Sequence, residues 1–201
     1  MREHPLLMKG PLVRATLAGL KTQTRRPLRN QPPSGGYHLV RVCGPWAEFE
    51  NDGPTLAKYS TKSPLGEAGD RLWVRETWQH YQNSGQRAAD FSEHQRFAAN
   101  CFYRADESNP RTKPLSGKWR PSQLMPRWAC RLVLPLVSVR VERVQDITEE
   151  DAKAEGVERI SSCKTARDSF RALWISIYGQ DSWDANPWVW VAEWDHVEVS
   201  K

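Results

Sequence analysis

A six-residue segment near the N-terminus concentrates groups that could carry out acid–base chemistry. Residues 21–26, Lys-Thr-Gln-Thr-Arg-Arg, supply three cations and two hydroxyls directly after Gly19 and Leu20. A lysine acts as a base only when it is neutral, a form that burial and nearby positive charges promote. A threonine hydroxyl becomes a nucleophile when such a base removes its proton. The segment could therefore hold a base and a nucleophile or, more simply, cations that cap the C-terminus of a helix.

Glu155 is a second unusual residue. It lies in the last turn of a short predicted helix that begins with a capping pattern at Thr148 and ends at Gly156. A carboxylate there faces the negative pole of the helix dipole, and such broken rules are commoner at functional sites. The alternative is an exposed glutamate on a solvated face. Glu76, beside Arg75 on a predicted strand, is another candidate acid or one half of a surface salt bridge.

The composition predicts one folded domain, residues 1–201, with an anionic partner. Hydrophobic residues make up 39% and charged residues 26% of the 201 residues, which are ordinary globular values. The net charge is +5, and the chain has 20 arginines against nine lysines. Arginine binds phosphates and base edges through two parallel hydrogen bonds, which favours nucleic acid or a nucleotide as partner. A basic surface that serves solubility is the alternative.

Several classes of protein are disfavoured by what the sequence lacks. It has no apolar run of the length that a membrane span needs, and its start does not resemble a signal peptide, so we expect a soluble, cytoplasmic protein. The four cysteines lie far apart, which predicts reduced thiols, no disulfide and no structural metal. The sequence contains no G-x-S-x-G elbow, no H-E-x-x-H, no P-loop and no G-x-G-x-x-G.

The elements that must position these residues are mostly strands. Apolar patterns predict a helix over residues 12–20, strands over 71–78 and 132–144, and an amphipathic helix through 170–177. Residues 188–194 are apolar on both faces, which predicts a central strand that continues to Val199. Because strands outnumber helices and do not alternate with them, the fold class is α+β with a small mixed or barrel-like sheet.

Two segments are predicted to be mainly loop. Residues 28–66 are rich in proline, glycine and serine around one strand, 37–43. Residues 79–117 are polar and aperiodic apart from 101–104.

Four motifs in this order resemble the ASCH domain family. They are Gly19-Leu-Lys-Thr-Gln-Thr-Arg-Arg26, Gly69-Asp-Arg-Leu-Trp-Val74, Asp146-Ile-Thr-Glu-Glu-Asp-Ala152 before Glu155, and Trp188-Val-Trp-Val-Ala-Glu-Trp194. The resemblance covers roughly residues 5–27, 65–78 and 118–197. It implies a PUA-like β-barrel with short flanking helices, interrupted by two long loop insertions at about 28–64 and 79–117. The stretch Trp119–Ala129 is similar to longer members from phages and prophages.

The resemblance also implies an activity. The family includes small amidohydrolases, without metal or cofactor, that remove the acyl group from N4-acetylcytidine and related N-acylated cytosines. They use a lysine, a threonine three residues later and a glutamate on a later helix, positions matched here by Lys21, Thr24 and Glu155. Lys21 could be the base and Thr24 the nucleophile, with Glu155 orienting Lys21 or handling the proton of the departing amine. Alternatively, Glu155 is the base and Lys21 stabilises the oxyanion.

Other relatives bind RNA or are credited with ribonuclease activity, so two further hypotheses remain. The protein could be a noncatalytic RNA- or DNA-binding module, or a metal-free ribonuclease that uses the same pocket. Candidate substrate contacts are Arg26, Arg75 and Arg127 for a phosphate or a base edge, and Trp73 and Trp128 for stacking. Core packing is the alternative role for the tryptophans. Direct pairing of Lys21 with Thr24 requires that residues 21–24 are not a regular strand, because residues three apart on a strand face opposite sides.

Overall fold

Strands dominate the described part of the chain, which has a mixed α+β fold. The computed structural model describes residues 1–33, 36–53, 56–80, 101–106, 118–157 and 163–199. The strands are β1 Glu3–Leu7, β2 Gln23–Pro27, β3 Tyr37–Cys43, β4 Trp46–Asn51, β5 Lys58–Lys62, β6 Arg71–Arg75, β7 Trp78–His80, β8 Cys101–Tyr103, β9 Leu132–Pro135, β10 Ser138–Arg143, β11 Trp188–Glu193 and β12 Glu198–Val199. The helices are α1 Gly10–Leu17, α2 Glu149–Ala154, α3 Ala166–Tyr178 and α4 Gln180–Asp184. None of the described helices is long and apolar enough to cross a membrane.

Two sheets supply much of the main core, to which Ala47 and Phe49 of β4 also contribute. One has the strand order β1-β6-β9-β12, with β1 parallel to β6 and β9 antiparallel to it, and the other is the antiparallel sheet β10-β11-β2. Apolar side chains from both sheets, among them Leu72, Leu132 and Trp190, pack together with Val13 of α1. The strand pairing does not join the two sheets into a closed barrel over the described residues.

The central strand predicted at residues 188–194 is confirmed as β11, which lies between β10 and β2. Its pleat explains why it is apolar on both sides. Trp190 faces the main core, whereas Val189 and Val191 face a second cluster with Phe170 and Trp174 of α3. The predicted amphipathic helix is therefore also confirmed, because α3 buries this aromatic stripe against the outer face of β11.

The structure corrects three predictions about where strands lie. Residues 28–66 are not mainly loop, because β3, β4 and β5 form an antiparallel three-stranded sheet there. The predicted strand 132–144 is two strands, β9 and β10, that belong to different sheets. The strand predicted to run from residue 188 to Val199 likewise ends at Glu193, and β12 pairs with β9 in the other sheet. The predicted loop at 79–117 falls mostly outside the described residues, which include β7, β8 and residues 104–106.

Candidate active site

Lys21 is positioned by the end of α1 and by a backbone bridge to the segment after α2. The backbone amides of Leu20 and Lys21 both donate to Ala15 O, at 2.8 and 3.1 Å, which ends the helix and turns the chain. Lys21 then pairs with Glu155 in an isolated antiparallel bridge, and Thr22 N donates to Ala154 O at 2.8 Å. The chain enters β2 only at Gln23. Residues 21–24 are therefore neither a helical turn nor one regular strand.

Glu155 is held at the other side of this bridge by α2. The predicted capping residue Thr148 is confirmed as the N-cap, since its side chain accepts from Asp151 N, and Glu155 is the C-cap. Gly156 follows with φ of +67°, and a Cβ there would lie 2.5 Å from Lys21 Cβ. Glycine is required because both the backbone conformation and the close packing on Lys21 exclude a side chain. The short helix and its glycine stop thus fix Glu155 against Lys21.

The amine of Lys21 and the carboxylate of Glu155 form a buried ion pair. Lys21 Nζ lies 2.7 Å from Glu155 Oε2 and also donates to Glu155 O at 2.9 Å and to Gln23 O at 2.6 Å. Lys21 is 1% exposed and Glu155 4%. Burial lowers the pKa of Lys21 below its ordinary value, with Glu155 opposing the shift and Arg26 and Arg25 adding to it. The pair therefore combines a weakened ammonium with an acceptor for its proton.

Arg25 joins this pair to two further carboxylates. Its guanidinium is completely buried and contacts Glu155 Oε1 at 3.3 Å, Asp151 Oδ2 at 2.9 Å and Glu142 Oε1 through Nε at 2.9 Å. Arg140 extends the network from Glu142 and Asp151 to Glu193. The unfavourable position of Glu155 at a helix C-terminus is thus offset by two cations, Lys21 and Arg25.

Thr24 lies on β2, two residues after the bridge segment ends, and its side chain is on the face opposite to that of Gln23 and Arg25. Alternation along the strand puts Gln23 and Arg25 on the face toward Asp151, and Thr24 and Arg26 on the other face. Thr24 is 1% exposed and pairs with Ala192 across the strands. Within the described residues, the Thr24 hydroxyl forms no hydrogen bond, either to Lys21 or to Glu155. The structure thus brings together two of the three predicted catalytic groups and holds the third on the adjacent strand.

Arg26, Arg75 and Trp73 lie near the junction of the two core sheets. Arg26 Nη2 donates to Leu7 O at 2.8 Å, and Leu7 pairs with Arg75 in the parallel register of β1 and β6. The Arg75 guanidinium lies 5.3 Å from the Trp73 ring and also donates to Gln123 O. These three predicted contact residues are half-buried, and each already contacts another group of the protein.

Arg127 and Trp128 belong to another part of the molecule. Arg127 forms two hydrogen bonds with Glu3 at the start of β1, at 2.7 and 2.8 Å. Trp128 packs edge-on against Trp78, with ring centroids 5.6 Å apart. Trp128 therefore has the packing role that was the alternative for each tryptophan, and the charge of Arg127 is compensated by Glu3.

A second buried ion cluster surrounds Arg131. Its guanidinium contacts Glu76 Oε1 at 2.9 Å and Asp106 Oδ2 at 2.6 Å, and lies 4.0 Å from the Tyr103 ring. Burial raises the pKa of Glu76, although Arg131 opposes the shift. The surface salt bridge considered for Glu76 is wrong, because Glu76 is 1% exposed and its partner is Arg131. The sequence offered no sign of this pairing, since the two residues are 55 positions apart.

Arg25, Gln23 and Asp151 are the residues of the site that the sequence analysis missed. Gln23 Nε2 donates to Asp151 Oδ1 at 2.8 Å, and Gln23 Oε1 accepts from Arg25 Nη1 at 2.9 Å. A signal was present, because Lys21, Gln23 and Arg25 occur at the spacing of two that brings residues to one face of a strand.

A cavity of about 690 Å³ adjoins the bridge between Lys21 and Glu155. It is lined by the chain neighbours of both residues, including Leu20, Thr22 and Ala154. Neither Lys21 nor Glu155 itself lines the cavity, and both are almost fully buried. The cavity therefore borders the backbone segments that carry the ion pair, without reaching its charged groups.

Comparisons with known proteins give no match: no protein family, no curated protein and no solved structure is similar to this chain at a significant level. No group of three or more His, Cys, Asp or Glu side chains in the described residues is arranged to hold a metal ion. The chemistry available at the site is that of an amine, a carboxylate, a guanidinium and a nearby hydroxyl.

Proposed function

We propose that this protein is an amidohydrolase that removes the acyl group from an N4-acylated cytosine nucleoside or a related modified nucleobase. The observation that carries the proposal is the buried Lys21–Glu155 pair, formed by residues that are 134 positions apart. Two features found separately in the sequence, a cation-rich segment and a glutamate at an unfavourable helix end, meet in this pair. Perturbed titratable groups that converge in this way are typical of catalytic sites.

The mechanism begins with Lys21 in its neutral form. Glu155 Oε2, 2.7 Å from Nζ, accepts the proton that Lys21 gives up, and burial favours this transfer. The neutral amine then removes the proton of Thr24 Oγ1, which forms a bond to the acyl carbon. The bond from that carbon to N4 breaks as Lys21 returns the proton to the departing amine, so the acyl group remains on Thr24 as an ester.

Water completes the cycle. Lys21 accepts a proton from the water as its oxygen attacks the ester carbon, and the bond to Thr24 Oγ1 breaks. Thr24 recovers its proton from Lys21, and the products are the free cytosine nucleoside and a carboxylic acid. Atoms and charge balance without any further reactant.

The hydrogen bonds of Lys21 favour this assignment over the one in which Glu155 is the base and Lys21 stabilises the oxyanion. An ammonium has three donors, and all three are used, by Gln23 O, Glu155 O and Glu155 Oε2. An ammonium held in this way has no proton left for an oxyanion. A lysine that passes one proton to Glu155 keeps its donors to Gln23 O and Glu155 O and gains a lone pair, which the movement that admits the substrate has to turn from Glu155 toward Thr24.

The burial of Thr24 means that opening must precede chemistry. Lys21, Thr24 and Glu155 are each less than 5% exposed, since their values are 1%, 1% and 4%. A substrate carbonyl therefore reaches Thr24 Oγ1 only after the surrounding side chains move, and the same movement has to bring the hydroxyl within reach of Lys21. Excluding water until the substrate binds also protects the lowered pKa of the amine.

The direct test is incubation of the purified protein with N4-acetylcytidine and chromatographic detection of cytidine. Thr24→Ala and Lys21→Ala should each abolish turnover, whereas Thr22→Ala, which removes a neighbouring threonine hydroxyl, should retain it. Circular dichroism and thermal unfolding report whether each variant is folded. A folded Thr24→Ala variant with wild-type turnover would overturn the nucleophile assignment, and no cytidine release by the wild type would overturn the reaction itself.

We also propose that the two core sheets belong to a PUA-like fold of the ASCH type. The support is the order of the four motifs together with the adjacency of β10, β11 and β2 around one core. A crystal structure superimposed on known PUA-like domains tests this assignment independently of the activity.

A further inference from the structure

A second cavity lies at the start of β11. The other end of this strand, Glu193, pairs with Gln23. The cavity has a volume of about 340 Å³, and its lining includes Gln31, Tyr37, Arg143 and Trp188. Trp188 is the first residue of β11, four residues from Ala192, the strand partner of Thr24. At about 3.3 Å per residue the cavity is therefore about 13 Å from the candidate active site along the strand.

Arg143 gives this cavity a positive charge. The guanidinium carbon lies 4.2 Å from the Trp188 ring centroid, and Nη1 donates to Asn186 O at 3.0 Å. Arg25 and Arg140 on the same sheet are surrounded by carboxylates, whereas Arg143 forms no ion pair with any described residue. The charge is therefore available to an anionic group from outside.

Gln31 and Trp188, two of the lining residues, are held in position by several contacts. Gln31 Nε2 donates to Leu28 O and to Trp188 O, both at 3.0 Å, while Gln31 Oε1 accepts from Trp188 N at 2.9 Å. The Trp188 ring also packs edge-on against Phe49, with centroids 5.2 Å apart. A preformed concave surface with aromatic walls and a few fixed polar groups is the usual form of a small-molecule site.

We propose that this cavity binds a nucleotide unit. An aromatic ring such as Tyr37 provides a stacking surface for a base, and the Arg143 guanidinium, which lies over Trp188 and has no carboxylate partner among the described residues, suits the phosphate. The volume lies at the lower end of the range of about 300–1,000 Å³ that is typical of ligand pockets. The unit could be a free nucleotide or one residue of a nucleic-acid strand. The site is independent of the proposed hydrolysis, because it shares no residue with the Lys21–Glu155 pair.

Isothermal titration calorimetry with adenosine 5′-monophosphate and with a hexa-adenylate tests the proposal. Neither probe carries an acyl group, so binding does not depend on the hydrolytic reaction. Arg143→Met keeps the aliphatic stem but removes the charge, and it should weaken binding by about tenfold or more. The matched control is Arg171→Met, because Arg171 also lies over a tryptophan, Trp183 at 5.8 Å, but does not line the cavity.

The two probes distinguish the sources of the nucleotide. Binding of both, weakened by Arg143→Met and unchanged in Arg171→Met, supports a site for free nucleotides. Binding of the hexa-adenylate alone with the same variant pattern supports a site for a strand. The proposal is overturned if neither probe binds, if Arg143→Met binds as the wild type does, or if Lys21→Ala abolishes the binding. Loss of activity on N4-acetylcytidine leaves each of these outcomes unaffected.

Discussion

Arg25, which is buried, and Arg131, which is half-buried, are each surrounded by carboxylates, and the two clusters differ in what they can do. Arg131 is enclosed by Glu76 and Asp106 and covered by Tyr103. Arg25 is enclosed by Glu142, Asp151 and Glu155, and the last of these also holds Lys21. A guanidinium keeps its proton at any pH at which the protein is folded, whereas an ammonium can lose it.

The comparison separates a structural ion cluster from a candidate catalytic one. In the Arg131 cluster the carboxylates of Glu76 and Asp106 contact a permanently charged guanidinium, which joins the end of β6 to the segment after β8. In the Arg25 cluster the arginine holds the carboxylates, and Lys21 is left with a lowered pKa beside Glu155. Both clusters hold charges that are at least partly buried, but within the described residues only the Arg25 cluster contains an amine, Lys21, whose pKa is lowered.

Matched glutamate substitutions give the largest expected difference between the clusters. Glu155→Gln removes the carboxylate that holds the Lys21 amine and exchanges its proton, and it should reduce turnover of N4-acetylcytidine by about 10²- to 10⁴-fold although Lys21 becomes neutral more readily. Glu76→Gln should leave turnover within about twofold, because it lies in a separate cluster. It should change the free energy of unfolding at pH 7 by no more than about 1 kcal/mol, because burial penalises the Glu76 charge more than Arg131 stabilises it and Asp106 still pairs with Arg131. Steady-state kinetics and urea unfolding measure the two effects. The distinction fails if Glu76→Gln is the less active variant.

The pH dependence of stability should differ in sign between the clusters. Burial alone would raise the pKa of Asp151, but hydrogen bonds from Gln23 and the charges of Arg25 and Arg140 hold it below its ordinary value. The stability that Asp151 contributes is therefore fully present above about pH 4. It is lost as the pH falls through the pKa that Asp151 has in the folded protein. Glu76 has a raised pKa, so the folded state takes up its proton first and gains stability as pH falls toward about 4.3.

Urea unfolding between pH 7 and pH 3 measures both contributions. Below about pH 4, Asp151→Asn should lose stability less steeply than the wild type. Glu76→Gln should lack the increase in stability that the wild type shows as the pH falls from 7 toward about 4.3. These differences should be smaller than the effect of Glu155→Gln on turnover, because each comes from one titrating carboxyl group. Identical pH profiles for the wild type and both variants would contradict the described electrostatics of the two clusters.

Sequence patterns predicted the elements with long apolar repeats and missed the short ones. The helix α3 and the central strand β11 each bury a continuous stripe, which periodicity detects. In the segment 28–66 the strand predicted at 37–43 is confirmed as β3, but β4 and β5 were missed because they are only five to six residues long and are set among glycines and prolines. Local patterns also could not show that 132–144 and 188–199 each divide between two sheets, because strand pairing is decided by the whole chain.

The candidate site was partly predictable for a similar reason. Lys21 and Glu155 were each identified from a local anomaly, and their contact agrees with the combination that the ASCH resemblance implied. The sequence pattern indicates Arg25 only as a positive charge near Lys21, because residues 21–26 are typical of the C-terminal end of a helix. Whether Thr24 meets Lys21 could not be predicted either, since it depends on where β2 begins and on the opening that substrate binding requires.

The most direct test of the central claim is an NMR titration of Lys21 after labelling of the lysine Cε atoms with ¹³C. The sequence contains nine lysines, and Lys21→Ala assigns the resonance. We expect Lys21 to titrate below the ordinary value of about 10.4. Glu155→Gln should lower its pKa further, and Arg25→Met should raise it, because Glu155 raises and Arg25 lowers this pKa in the folded protein. Turnover of N4-acetylcytidine should rise with pH through the same value. A Lys21 that titrates at or above about 10.4 and does not respond to either substitution would contradict the account.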